Sequence, residues 1–313
     1  MKSWACLLLL ACNLAQAQAF EAAPFQPAQL DALITDSRLD EISGMASSRR
    51  ADQRYWVHND APRPAELQAI DNTGKSTARL RIEGVRAIDW EDIASYTIDG
   101  KPWLLIGDIG DNAGVRKDYE LIAVEEPDLA GQPATLSVKP AWRLRFRYAD
   151  GAHDSEAMAV DVSRREILLV NKHAPLAVYR LPLGAPGKGP GILVAEKLRD
   201  LDAIPQPNAS ERQARFPAAR FGGSPTGLDI DPAGHRAILL TYRDIWVFTR
   251  SPHEDWSQAF AGKPRQISLP PIAQAEAIAF DRRAQAILVS GERLPAPLLR
   301  FDGSRESGMG NRE

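Results

Sequence analysis

The sequence predicts an all-β fold built from a repeated four-stranded unit, because one short motif returns five times along the 313 residues. Each copy has a polar residue, usually a small one, an aliphatic one and then Ala or Asp. The copies begin at Ser43, Glu91, Glu156, Thr226 and Glu276. An aliphatic run ending in polar residues follows each copy, and a third β-rich segment comes next. A sequence repeat whose unit consists of several strands is typical of a β-propeller. We predict five four-stranded blades, with six as the alternative because the long second and third units have room for irregular strands.

A fourth strand is predicted for four of the five units. These strands are Ser76–Ile82, Ala141–Tyr148, Ile192–Leu198 and Arg265–Leu269. The last unit lacks one, because only a polar tail follows Phe301, whereas the strand-like segment Leu30–Thr35 precedes the first repeat. Unpaired sheet edges expose hydrogen-bonding groups to other chains. We therefore expect the N-terminal strand to complete the last blade and close the ring.

Residues 1–19 have the pattern of an export signal. Lys2 supplies the positive start, Trp4–Leu14 is a short apolar stretch, and small-x-small cleavage sites end at Ala17 and Ala19. The apolar stretch is too short to span a bilayer. We expect a periplasmic or secreted protein that is not transmembrane.

A lipoprotein is the alternative, since Leu9–Cys12 resembles a lipobox, with Cys12 as the modified residue. Both cysteines lie in the signal segment, so the mature chain would contain no disulfide. The formal net charge of −3 is too small to indicate a nucleic-acid partner, and we expect a monomer. The predicted divisions are a tail at 20–28, a single propeller domain at 29–302 and a polar tail at 303–313.

Acidic side chains are expected to converge at one end of the propeller axis. The start of each first strand and the end of each second strand lie on the same face of such a fold. The predicted metal ligands are Glu41, Glu91, Glu156 and Glu276; Asp89 and Asp154 share their face by the two-residue period of a strand. Crowded carboxylates repel one another and lose hydration, and an oxygen-only ligand set suits Ca²⁺. Calcium is therefore the predicted cofactor, and strand-capping hydrogen bonds without a metal are the alternative.

The other candidates lie in two places. Some are at the ends of the second strands. The others are in the proline-containing stretch 203–224, which we expect to cover the same face as a lid. The predicted ligand-binding residues are Asn59, Asp60, Asp108, Asn171, Lys172, Arg212, Arg215 and Arg220. The three arginines are suited to a phosphate or carboxylate group, and a merely solvated loop is the alternative. His58 and His153 are the predicted catalytic residues, as general bases that titrate near neutral pH; hydrogen-bonded structural histidines are the alternative.

The blade-opening motifs Glu41–Met45, Asp154–Met158 and Ala275–Ile278 resemble those of two related bacterial propeller groups. These are the SdiA-regulated family and the group called esterase-like activity of phytase. Asp89–Ala94 followed by Gly107–Asn112 is similar to a segment common in exported propellers of this kind. The resemblance implies a secreted or periplasmic propeller, often with calcium on the axis. Its acidic positions match Glu41, Glu91, Glu156 and Glu276, whereas Thr226 departs from the pattern.

Three functions follow as hypotheses. The first is an exported propeller whose acidic axial site binds calcium and a small or anionic ligand. The second is a calcium-dependent hydrolase of esters, lactones or phosphoesters, with the cation polarising the substrate oxygen and a histidine as base. The absence of a Gly-x-Ser-x-Gly motif counts against a serine esterase. The third is a scaffold for protein partners in the cell envelope.

Overall fold

The structure, a computed structural model, describes residues 24–60, 62–184 and 191–304. The predicted export signal at 1–19, with Cys12, lies outside the described residues, as do parts of both predicted tails. Among the described residues, no helix has the length and apolar character needed to cross a membrane.

Strands make up most of the described chain. In chain order they are β1 (Gln29–Ile34), β2 (Ile42–Ser47), β3 (Arg54–Asn59), β4 (Glu66–Asp71), β5 (Ser76–Ile82), β6 (Trp90–Ile98), β7 (Lys101–Asp108), β8 (Tyr119–Glu125), β9 (Thr135–Val138), β10 (Trp142–Tyr148), β11 (Ser155–Asp161), β12 (Glu166–Asn171), β13 (Ala177–Pro182), β14 (Leu193–Asp200), β15 (Pro225–Ile230), β16 (Arg236–Thr241), β17 (Asp244–Thr249), β18 (Arg265–Ser268), β19 (Ala275–Phe280), β20 (Ala286–Gly291) and β21 (Ala296–Asp302). Helices are short: a 3₁₀ turn at Glu211–Gln213, α1 (Pro217–Arg220) and α2 (Trp256–Ala259).

Hydrogen bonds join the strands into antiparallel groups of four, which we call units 1 to 5. Unit 1 is β2–β5, unit 2 is β6, β7, β8 and β10, unit 3 is β11–β14, unit 4 is β15–β18, and unit 5 is β19–β21 with β1. The first strands β2, β6, β11, β15 and β19 contact one another in that cyclic order, and β19 closes against β2. The fold is therefore an all-β β-propeller, as the repeats predict. Five blades stay a prediction, which these units support.

The N-terminal strand pairs with the last strand, where the sequence predicts it. β1 runs antiparallel to β21, with Gln29 opposite Arg300 and Ile34 opposite Ala296. Beyond the strand, Phe25 bridges to Gly303, and the Ser304 amide donates to the Pro24 carbonyl at 2.7 Å. The two ends of the described chain thus share one sheet.

Two parallel pairings between units lie outside the predicted pattern. β9, in the connection from β8 to β10, pairs with β5 of unit 1, and β10 pairs with β14 of unit 3. Apolar layers also join neighbouring units. For example, Trp56 and Leu80 of unit 1 pack with Ile93, Leu104 and Ile122 of unit 2. These layers provide the main burial of apolar surface.

Two buried aspartates bind the first strands together along the axis. Asp92 of β6 accepts hydrogen bonds from the amides of Met158 in β11, at 2.7 Å, and Leu228 in β15, at 3.1 Å. Asp229 of β15 accepts one from Phe280 in β19, at 2.8 Å. These carboxylates satisfy amides of neighbouring strands, which a closed ring of first strands cannot all pair by itself.

Candidate functional site

The same β-bulge interrupts the first strand of every unit. In β6, Trp90 lies opposite Asp108 and Asp92 lies opposite Gly107, so Glu91 is an extra residue. The corresponding extra residues in the other first strands are Ser43, Glu156, Thr226 and Glu276. These are the five motif positions of the sequence. Because a bulge re-aims the extra side chain and bends its strand, the repeated motif marks how the propeller directs polar groups to one mouth.

The residue after each second strand lies beside these bulges. In four units, the backbone amide of this residue donates to the carbonyl oxygen of the residue two positions before the motif residue. The donor and acceptor pairs are Asp60 and Glu41, Ile109 and Asp89, Lys172 and Asp154, and Glu292 and Gln274. Tyr242 has the corresponding position in unit 4, directly after β16. A second set of side chains is thereby held next to the motif residues.

Carboxylates from units 1, 2 and 3 converge there. The candidate ligand oxygens of Asp60, Asp89 and Glu91 lie within 4.8 Å of one another, and so do those of Glu91, Asp154 and Glu156. Glu91 belongs to both groups. We call these five residues the axial acidic cluster. Such a set of oxygen atoms is what a hard divalent cation requires.

Three buried oxygens of the cluster have no hydrogen-bond partner among the described residues; one, Oδ2 of Asp154, lies 3.2 Å from Nε2 of His173, and the other two have no ion-pair partner either. These two are Oε1 of Glu91 and Oε2 of Glu156, whose side chains belong to residues only 3% and 6% exposed. The other Glu91 oxygen accepts from Ser43 Oγ at 3.2 Å, and the other Glu156 oxygen pairs with Lys172 Nζ. A buried carboxylate oxygen without a donor costs free energy, which a bound cation would recover.

Burial raises the pKa values of several carboxyl groups at this mouth, whereas at Asp154 burial is outweighed by the His173 contact and the hydrogen bond from the Asp111 amide, which hold the pKa below its ordinary value. Desolvation raises the pKa of Glu156 to about 8, although the Lys172 ammonium opposes the shift. Burial and the Glu156 charge raise the pKa of Glu91 well above its ordinary value. Burial also raises the pKa of Asp89 to about 6 and of Glu276 to about 7. Without a cation, the site therefore retains protons near neutral pH.

The glycine-rich loop Gly107–Asn112 closes tightly around the cluster. A Cβ atom on Gly110 would lie 2.2 Å from Oε1 of Glu91 and 2.6 Å from Oδ2 of Asp89. Only glycine permits this approach of backbone to carboxylates.

Asp108 ties this loop to the residues that precede β6 instead of reaching the cluster. Its carboxylate accepts from the amides of Ile88, at 3.0 Å, and Asp89, at 3.2 Å, and pairs with Arg116 at 2.8 Å. The two predicted asparagines also bind backbone: Asn59 donates to the Arg38 carbonyl at 2.7 Å, and Asn171 accepts from the Ala177 amide at 2.6 Å. Of the strand-end candidates, only Asp60 and Lys172 lie at the cluster.

The four predicted metal ligands occupy different positions. Glu91 and Glu156 belong to the cluster. Glu276 lies beside it and accepts from the Tyr242 hydroxyl at 3.0 Å. Glu41 lies further out, with a side chain that is 37% exposed and paired with Arg63 at 2.8 Å.

Tyr242 and Glu292 are residues of this mouth that sequence reasoning missed. Burial raises the pKa of Tyr242, so its hydroxyl stays protonated, and the charge of Glu292 helps to raise the pKa of Glu276. Their position in the repeat could have identified them, because each directly follows the last residue of a second strand.

His58 is buried between units 1 and 2, at 1% exposure. Its ring packs edge-on against Trp90, with centroids 5.8 Å apart, and lies over Gly44 of β2. Nδ1 is 3.0 Å from the Asn59 carbonyl oxygen, which requires the hydrogen on Nδ1. Burial lowers the pKa of His58 to about 4, so the imidazole is neutral at pH 7.

His153 lies at the edge of a separate cavity of about 350 Å³ between units 2 and 3. Its Nε2 is 2.9 Å from Oδ1 of Asp150 and 2.9 Å from the Tyr179 hydroxyl. The cavity is also lined by Asp154 of the cluster, which pairs with His173 at 3.2 Å. His153 is thus near the cluster, with Asp154 between the two.

The arginine-containing stretch lies next to unit 4. The Phe221 ring is 6.3 Å from the Tyr242 ring, and the Arg220 guanidinium stacks on Phe221 at 5.0 Å. Arg212 donates to the Pro207 carbonyl, and Arg215 is exposed. The hydrogen bonds and ion pairs that the described chain gives to Glu91, Glu156 and Glu276 include none of the three arginines.

No protein-family model and no curated protein matches the sequence. Membership of the SdiA-regulated family or of the esterase-like group therefore stays a prediction. A solved structure described as the PQQ-bound form of an aldose sugar dehydrogenase from Streptomyces coelicolor is similar to this chain, with a TM-score of 0.45 and 11% sequence identity. The similarity covers 90% of this chain and 100% of that one. A relation this distant says nothing about the reaction or cofactor of the present chain.

Proposed function

We propose that this chain is an exported β-propeller whose axial acidic cluster binds one Ca²⁺ ion and, beside it, a small anionic ligand. The observation that carries the proposal is the pair of buried, unpartnered oxygens on Glu91 and Glu156. Hydrogen bonding alone explains a carboxylate whose two oxygens both find donors. It does not explain these two. The export part rests on the pattern of residues 1–19.

The spacing of the oxygens is compatible with calcium. Ligands about 2.4 Å from a Ca²⁺ ion lie at most about 4.8 Å apart, and the candidate ligand atoms of each carboxylate group meet that limit. The cluster contains only oxygen donors, which disfavours softer metals. Residues Asp60 and Asp89 are half-buried, whereas Glu91, Asp154 and Glu156 are buried, so the open side of the site faces Asp60 and Asp89.

Lys172 favours an anionic ligand next to the cation. Its ammonium pairs with Glu156 and is 15% exposed. A cation bound to Glu156 would compete for that carboxylate and leave Lys172 available to a negatively charged group. A cation and an ammonium side by side would hold a carboxylate or phosphate through charge-assisted contacts.

Metal analysis of the mature protein, purified without chelator, tests the proposal. We expect about one equivalent of calcium and a clear fall in melting temperature after EDTA treatment. Glu91→Gln should remove the bound calcium, because the neutral amide replaces a carboxylate shared by both ligand groups. Glu196→Gln is the matched control, since that carboxylate is 63% exposed and lies on an outer strand. A metal-free wild type with an unchanged melting temperature in EDTA would refute the calcium site.

The second candidate function is a calcium-dependent hydrolase, and the Tyr242–Glu276 pair favours it. The tyrosine hydroxyl donates to a carboxyl group whose pKa is raised to about 7, mainly by burial, so a proton donor and acceptor lies beside the proposed cation. Chromogenic esters, lactones and phosphoesters should be turned over only with calcium. Tyr242→Phe should then lower kcat without loss of bound metal. Turnover that survives EDTA, or an unaffected Tyr242→Phe variant, would contradict this function.

A further inference from the structure

The far mouth of the propeller carries the opposite charge. The first strands run from the acidic cluster to a cavity of about 350 Å³ that their distal ends surround. Its wall includes Thr97 of β6, Val160 of β11 and Ile230 of β15, together with arginines that follow β2 and β19. Residues from all five units therefore meet at this cavity.

Arg49, two residues past β2, is the central cation of the cavity. Its Nε donates to the carbonyl and hydroxyl oxygens of Ser95, at 3.1 and 3.0 Å. Its backbone amide donates to Glu126 at 2.8 Å. In the part of the chain that the structure describes, neither terminal nitrogen of its guanidinium group has a hydrogen-bond partner. The Nε contacts thus hold the guanidinium group in place, and its two terminal nitrogens remain available to a ligand.

Arg282 and Arg283 complete the basic wall. Arg282 Nε donates to the Arg49 carbonyl at 3.1 Å, which ties the two arginines together. Arg282 and Arg283 share one carboxylate, Asp52, at 3.1 and 2.7 Å. Three guanidinium groups therefore face this mouth; Asp52 is shared by two of them, and the charges of Asp229 and Glu126 act on Arg49.

The acidic residues of the same wall already have partners. Asp161 accepts from the Trp256 indole at 2.8 Å and lies 3.5 Å from Arg250. Asp231 pairs with Arg236 at 2.8 Å. Deeper on the axis, Asp229 accepts from the Phe280 amide; burial raises its pKa to about 6, and the Arg49 charge opposes that shift. The three arginines that line the cavity thus outnumber its two lining aspartates, Asp161 and Asp231, each of which has another arginine as partner.

We infer that this cavity binds the phosphate group of a small molecule. Guanidinium forks match the oxygen pairs of phosphates and carboxylates. A phosphate has enough oxygens for three arginines, whereas a carboxylate has two. The cavity volume suits a phosphate with a small organic part. Because the site is at the mouth opposite Glu91 and Glu156, it is independent of the proposed calcium site.

Calorimetric titration of the mature protein with inorganic phosphate tests the inference. The buffer contains EDTA, so that calcium cannot hold phosphate at the other mouth, and enough chloride to fix the ionic strength. We expect one saturable site. Arg49→Lys and Arg283→Ala should each weaken binding about tenfold, because each removes charge-assisted hydrogen bonds.

Two control variants separate this site from others. Arg145→Ala removes an arginine that is 56% exposed, against 66% for Arg283, and that is paired with one aspartate, Asp118; it should leave phosphate binding unchanged. Glu91→Gln should also leave it unchanged, even if the calcium proposal fails. If Arg49→Lys does not fold, Arg283→Ala still decides, because that side chain is 66% exposed and pairs with Asp52. Absence of saturable binding in the wild type, or full binding by Arg283→Ala, would overturn the inference.

Discussion

Asp92→Ala is expected to destabilise the protein by about 4 kcal/mol or more, because it leaves several buried amides without an acceptor. The carboxylate accepts from Met158 and Leu228 on two other first strands and from its neighbour Ile93, at 2.8 Å. The side chain is fully buried, so water cannot replace it. Chemical denaturation of the wild type and the variant measures the difference in the free energy of unfolding.

Two further substitutions show whether the hydrogen bonds are responsible. Asp92→Asn keeps the shape but turns one acceptor atom into a donor, so we expect a smaller loss of stability than with alanine. Asp128→Ala is the control: that exposed carboxylate accepts one amide hydrogen bond, from Ala130 at 3.0 Å, and its loss should cost little. If Asp92→Ala unfolded at the same denaturant concentration as Asp128→Ala, Asp92 would not hold the first strands together.

Calcium is expected to stabilise the protein more strongly as pH rises from acidic to slightly basic. The folded-state pKa values of Glu156, about 8, and Glu276, about 7, both exceed the ordinary value of 4.5. At pH values between the ordinary pKa and these raised pKa values, the folded, cation-free protein binds more protons than the unfolded chain. Its free energy of unfolding therefore falls as pH rises. A bound cation favours the deprotonated carboxylates, so calcium affinity should increase over the same interval.

Melting temperatures across this pH interval, with EDTA and with excess calcium, measure the effect. The EDTA series should fall with increasing pH, and the gap between the two series should widen. Glu156→Gln should flatten the EDTA series, because the amide does not titrate, whereas Glu196→Gln should reproduce the wild type. Two parallel series would contradict cation binding at titrating carboxylates.

The fold was more predictable than the site, because strand order depends on repetition and the site depends on one-residue shifts. The four predicted fourth strands correspond to β5, β10, β14 and β18, and the segment Leu30–Thr35 contains most of β1. β9 was missed, since four residues in a turn-rich connection have no clear period. Its partner, β5, belongs to another unit.

At the acidic mouth, the repeat position alone did not separate the residues of the cluster from their equivalents. Glu41 has the same repeat position as Asp89 and Asp154, two residues before a motif residue, but its side chain lies at the rim and pairs with Arg63. No local pattern shows that partner. The burial of His58 depends on Trp90 of the next unit, which no local pattern shows. The convergence of Asp89, Asp154, Glu91 and Glu156 was predictable, since each stands at a fixed position of the repeat.

The pairing of β1 with β21 has a consequence for how the protein folds. Units 1 to 4 contain strands that are close in sequence, so each can form from a continuous stretch of chain. Unit 5 needs Gln29 and Arg300 in the same sheet, and must wait until nearly the whole chain is present. Contacts between such distant residues are slow to form because the closing loop is long. Until then β1 and β21 are both open edges. We therefore expect closure of unit 5 to be the last step of folding, and the stage at which the chain is most prone to aggregate.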